Sequence, residues 1–155
     1  MNARILSHQP DAEFFIDEQC YINELSNSES DPSLSIAKAR VKPGVSTRWH
    51  ALKDTVERYV ILAGTGRVEV GDLPAQDLGP HDVVIIPAGC RQRISNTGAE
   101  DLVFLALCSP RFDVACYEEL GALLREETAE VERGDGDTKT RNMLHEGVPV
   151  QLLPD

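Results

Sequence analysis

The chain has 155 residues, 41% of them hydrophobic and 26% charged, which suits one domain with a buried core. Its formal net charge of −11 argues against a nucleic-acid partner, because phosphate binding needs a basic footprint. The apolar runs around 83–86 and 102–108 are far too short to span a bilayer, so no membrane partner is expected.

The opening "MNARILSHQPDAEFF" has no apolar segment of secretory type, and a cytoplasmic location is expected. Residues 1–33 predict one or two short strands followed by a polar loop at 26–32, where Asn, Ser, Asp and Pro favour turns. "LSIAKARV" (34–41) alternates apolar with polar or small residues, as a half-buried strand does. Further strands are expected over 46–52, 56–64, 66–71, 83–96 and 102–110, separated by turns rich in Gly, Pro and Asp. Many short strands with regular turn signals predict an all-β sandwich or barrel over 34–112. Residues 113–127 predict a short C-terminal helix, with Tyr117, Leu120 and Leu124 on one side and Asp113 as its cap. Residues 128–155 read as an acidic linker and tail. The four cysteines (Cys20, Cys90, Cys108 and Cys116) form no C-x-x-C pair and are expected to be free thiols.

Alternation along strands groups the chemistry-bearing residues. Arg48, His50 and Leu52 fall on one face of the first strand, Glu57, Tyr59 and Ile61 on one face of the second, and Cys90, Gln92 and Ile94 on one face of a third. If those faces line a barrel, its interior holds a polar cluster that must be hydrogen-bonded or must bind a ligand. Imidazole, carboxylate and amide groups facing one another can coordinate a divalent first-row ion. The other reading is a metal-free polar cluster in which Glu57 accepts from His50 and Gln92.

Residues 44–96 resemble the two motifs of the cupin superfamily. Gly44, His50, Glu57 and Gly64 fall in register with the first motif, and Pro87, Gly89 and Asn96 with the second. The resemblance implies an all-β cupin double-stranded β-helix, a jelly-roll barrel, and implies a homodimer. It also implies where the chain departs: Leu52 stands where the family has its second histidine, Gln92 where it has its third, and His81 where the second motif opens on Gly. Of the metal ligands that the resemblance implies, His50 and Glu57 remain, and with Gln92 they are the candidate ligands of a divalent first-row ion (Mn, Fe, Ni or Zn).

Three functions follow. The first is a metal-assisted small-molecule enzyme, isomerase- or dioxygenase-like, on a small polar or anionic organic substrate. Here His50 and Tyr59 would move protons and Arg48 would anchor the anionic end. The second is a metal-free small-ligand binder or sensor, favoured by the apolar Leu52. The third is a metal-free acid/base enzyme using His50 and Tyr59.

Overall fold

The computed structural model describes residues 1–121. The expected tail at 128–155, and the end of the expected helix at 122–127, lie outside them. The described strands are β1 (Phe14–Ile16), β2 (Cys20–Ser26), β3 (Ser35–Val41), β4 (His50–Leu52), β5 (Val56–Ala63), β6 (Gly66–Val70), β7 (Gln76–Leu78), β8 (Val83–Ile86), β9 (Gln92–Asn96), β10 (Leu102–Ser109) and β11 (Tyr117–Glu119). They form two antiparallel sheets, ordered β1-β2-β3-β10-β5-β8 and β11-β4-β9-β6-β7. The architecture is the expected two-sheet β-barrel.

The barrel is made by the period-two pattern. On β5, Glu57, Tyr59 and Ile61 are buried and point inward, while Arg58, Val60 and Leu62 point out. On β10, Leu102 and Phe104 are buried with Ala39, Val41 and Ile61 in the core between the sheets, and Cys108 is buried opposite Glu57. Burial of these aliphatic and aromatic groups is the main force holding the sheets together, at roughly 1.5–3 kcal/mol for each large side chain.

Three local expectations are corrected. The run 83–96 is two strands, because Pro87, Ala88 and Gly89 turn the chain between β8 and β9, with Gly89 at φ 74°. The turn-rich stretch 72–82 contains β7, which pairs with β6. Residues 113–120 form no α-helix: Asp113 caps a single 3-10 turn over Val114–Cys116, accepting from the Ala115 N–H at 2.9 Å, and the chain then runs into β11. There the Lys53 and Leu120 N–H groups donate to the Cys116 and Trp49 carbonyls, so pairing with β4 takes the backbone groups a helix would use. The N-terminal strand β2 pairs with β3, and β11 pairs with β4.

The turn between β5 and β6 depends on Gly64. It sits at φ 82°, and a Cβ placed there would lie 2.5 Å from the Asp101 carbonyl oxygen. Gly64→Ala is therefore expected to cost at least about 2 kcal/mol, combining left-handed strain with displacement of a backbone carbonyl. Denaturant unfolding checks this: the midpoint should fall with the slope unchanged.

Candidate active site

The two sheets enclose a half-open cavity. His50 and Leu52 from β4, Glu57 and Tyr59 from β5, Phe104 and Cys108 from β10, and Tyr117 from β11 line it. The N-terminal hairpin contributes Ile16, Glu18, Cys20, Ile22 and Glu24. Most of the wall is therefore apolar, with ionisable groups set into it.

His50 is 2% exposed. Its Nδ1 lies 2.8 Å from the Arg48 carbonyl oxygen, an acceptor, so Nδ1 carries the proton and Nε2 keeps its lone pair. Tyr117 stacks on the ring, centroids 5.3 Å apart and planes 14° from parallel. Burial lowers the His50 pKa from its ordinary 6.5, against the pull of Glu57.

Glu18 faces Nε2 at 3.3 Å. It sits in the short turn between β1 and β2, where Gln19, at φ 78°, donates its N–H to the Ile16 carbonyl. The Glu18 carbonyl accepts from the Arg48 N–H at 3.0 Å, which ties the hairpin tip to the segment leading into β4. Burial pushes the Glu18 carboxyl up to about 8. At neutral pH, then, a largely protonated carboxyl stands beside an unprotonated imidazole nitrogen.

Glu57 is 7% exposed, and its pKa is raised by burial, offset in part by His50. Its Oε2 accepts from the Cys108 thiol at 3.4 Å, across the register pair Cys108–Glu57. Its Oε1 and Gln92 Nε2 meet no close, well-aligned partner, and a looser Gln92 contact also holds the Glu57 pKa down. Gln92 Oε1 accepts from the Tyr59 hydroxyl at 2.6 Å, a bond that spans the two sheets. Burial holds the Tyr59 phenol well above its ordinary range.

The sequence-derived site residues thus divide. His50, Glu57 and Tyr59 line one cavity, and Gln92 stands behind it, opposite His50 in the β4–β9 pairing. Arg48 is half-buried and is not in the cavity wall, because the sheet begins only at His50 and alternation does not extend back to it. Cys90 precedes β9 in a turn and packs at Gly71 rather than beside Gln92. Glu18, Cys20 and Tyr117 complete the wall without any signal in the local sequence.

The donors do not fit a divalent ion. Gln92 Oε1, the oxygen a metal would need, already accepts from the Tyr59 hydroxyl at 2.6 Å and lies behind the cavity wall rather than in it. Among the described residues, no three His, Cys, Asp or Glu groups are placed to hold a metal together. Leu52, 3% exposed, fills the wall two residues beyond His50 with an aliphatic side chain.

No curated protein matches the chain in sequence. Several solved structures share its fold. KdgF from Halomonas sp. superposes with TM-score 0.58 at 17% identity, covering 65% of this chain and 89% of that one. A predicted oxalate decarboxylase from Thermotoga maritima gives 0.54 at 27% identity, covering 59% and 80%. Pac13, a nucleoside dehydratase from Streptomyces, gives 0.62 at 14% identity, covering 75% and 91%. The family model for the cupin domain matches residues 37–108, from within β3 through most of β10, and the two-sheet barrel around that segment has the cupin fold.

Proposed function

We propose that the chain is a small-molecule enzyme that moves a proton on a bound organic substrate by acid/base chemistry without a metal. The observation that carries this reading is the buried pair at the cavity wall: His50 Nε2, an unprotonated base, 3.3 Å from the Glu18 carboxyl. His50 takes a proton from the substrate and Glu18 returns one, or the roles reverse. A general base tuned below its ordinary value beside an acid tuned upward is the arrangement such catalysis requires. Tyr59 positions Gln92 and does not donate to substrate, since its hydroxyl proton is already committed. The similar structures described as decarboxylase and dehydratase support an enzymatic reading over a purely structural one. A homodimer belongs to the same proposal, with Leu62, Val83 and Ile85 exposed on the outer face of β5 and the edge strand β8.

The metal-assisted reading rests on the register of His50 and Glu57 within the first motif. Two measurements separate the readings. Mn or Zn titration of chelator-treated protein is expected to leave the melting temperature and the His50 ring resonances unchanged. A stabilisation of several degrees would support the metal-assisted reading instead. Second, deuterium exchange from solvent into a panel of small carbonyl compounds reads proton transfer directly. The native chain should accelerate exchange for at least one of them, and His50→Ala should lose on the order of 10²-fold or more. A panel member that binds yet exchanges no faster than in buffer favours a ligand-binding or sensor role.

A further inference from the structure

The polar groups of the cavity wall are turned toward the protein. Glu24 Oε1 accepts from the Asn27 side-chain amide at 2.7 Å, and Ser35 Oγ accepts from the Phe112 N–H at 2.8 Å. Glu57 Oε2 accepts from the Cys108 thiol, and its Oε1 is closed to solvent. The Tyr59 hydroxyl donates to Gln92, and His50 Nδ1 donates to the Arg48 carbonyl. Among the described wall residues, the polar spot that stays open is Glu18, its side chain 13% exposed beside His50 Nε2. No lysine or arginine among the described residues lines the cavity, so an anionic substrate would find no cation there.

The surface that meets a ligand is therefore mostly hydrocarbon, and the strand register sets its shape. Ala106 on β10 stands opposite Ala37 on β3 and opposite Tyr59 on β5. Both alanines are half-buried and line the cavity, so their short side chains leave room above them. Ile22, Phe112 and Tyr117 form the larger sides. A sugar, a polyol or a carboxylate entering here would give up its water and meet few free donors or acceptors. An apolar body has no such water to lose, and it gains by leaving solvent.

We propose that the ligand of this cavity is an uncharged, largely hydrocarbon molecule with a single carbonyl or hydroxyl oxygen. The oxygen sits at Glu18 and His50, and the apolar body lies over Ala37 and Ala106. This rests on the cavity being the substrate site, and it makes the substrate apolar where the sequence predicts a polar or anionic one.

Methyl ketones from butanone to heptanone test it, titrated into the full chain at neutral pH and followed by NMR. They should shift the Phe104 and Tyr117 resonances, and each added methylene should tighten binding about two- to fourfold. Diethyl ketone should bind at least about tenfold more tightly than dihydroxyacetone, which has the same shape with hydroxyls at both ends. Methyl isopentyl ketone should exceed levulinate, its carboxylate counterpart, by as much or more. Ala106→Leu, which fills the space over the alanines, should weaken heptanone about tenfold or more, with Ala37→Val as the second variant if Ala106→Leu does not fold. Affinity that does not depend on chain length, or dihydroxyacetone or levulinate binding as tightly as its hydrocarbon counterpart, overturns the apolar assignment. Heptanone affinity that neither folded variant changes places the ketone elsewhere and also overturns it. Solvent deuterium exchange into the same compounds separates this from the acid/base reading. Exchange without the chain-length trend overturns the apolar assignment alone. The trend without exchange overturns the acid/base reading and supports a binding site of the proposed class. Neither binding nor exchange overturns both.

Discussion

Glu18→Gln is expected to make the protein more stable than the native chain above pH 7, with the difference growing up to about pH 8. The Glu18 carboxyl is raised from 4.5 to about 8 by burial, so the folded state binds a proton that the unfolded state has already released. Stability from such a group is fully present below pH 4.5 and is lost as pH rises through about 8. His50 acts in the opposite sense. Its pKa is lowered from 6.5, so its contribution is present above 6.5 and lost as pH falls through the lower folded value. Between 4.5 and 6.5 the two oppose each other, and above 6.5 the carboxyls act alone. Glu57 adds to the trend with the same sign. Cys20, Cys108, Tyr59 and Tyr117, raised by burial, respond only at more alkaline pH.

The magnitude follows from linkage. From pH 6.5 to 8, one retained proton is worth roughly 2 kcal/mol, or about 6 °C in melting temperature for a chain of this size. Glutamine keeps the shape of the protonated carboxyl, and its amide can donate to His50 Nε2. The native melting temperature should therefore fall across this window while that of the variant falls less, owing to Glu57 alone. Parallel curves would show that Glu18 titrates normally, and the acid/base pairing with His50 would fall with it.

The inward faces were legible because strand alternation is local. Glu57, Tyr59 and Ile61 follow directly from the run "VERYVILAG", and Gln92 and Ile94 from "CRQRIS". What alternation cannot supply is where a strand starts. Alternation groups Arg48 with His50, but the chain enters the sheet only at His50, held back by the bond from the Arg48 N–H to the Glu18 carbonyl. Glu18 was invisible for the same reason. An acid in a turn reads as solvated, and only packing of the hairpin tip against the segment before β4 buries it. The spacing of three and four residues that predicts a helix at Tyr117 is a period that a short edge strand can carry by chance. The departure at Leu52 was the most informative single position, because it lies in a cavity wall and its chemistry is unambiguous.

That position gives the last prediction. If Leu52 and the occupied Gln92 oxygen keep metal out, restoring both family histidines should let metal in. Leu52→His with Gln92→His would set two new imidazoles beside His50 and Glu57, on strands β4 and β9 that already face the cavity or stand directly behind it. Without metal the double variant should be less stable than the native chain by about 1–2 kcal/mol, because Tyr59 loses the acceptor it now reaches at 2.6 Å. With Mn or Zn at about 100 times the dissociation constant, binding should return roughly 2.7 kcal/mol, a rise of about 8 °C. Either single substitution should show a smaller rise, since one imidazole leaves the ligand set short. A native chain that gains as much as the double variant would mean that His50 and Glu57 already hold a metal. A double variant that gains nothing would mean that the barrel excludes the ion for a reason other than its missing histidines, with the packing around Leu52, where β11 closes over β4, the next place to alter.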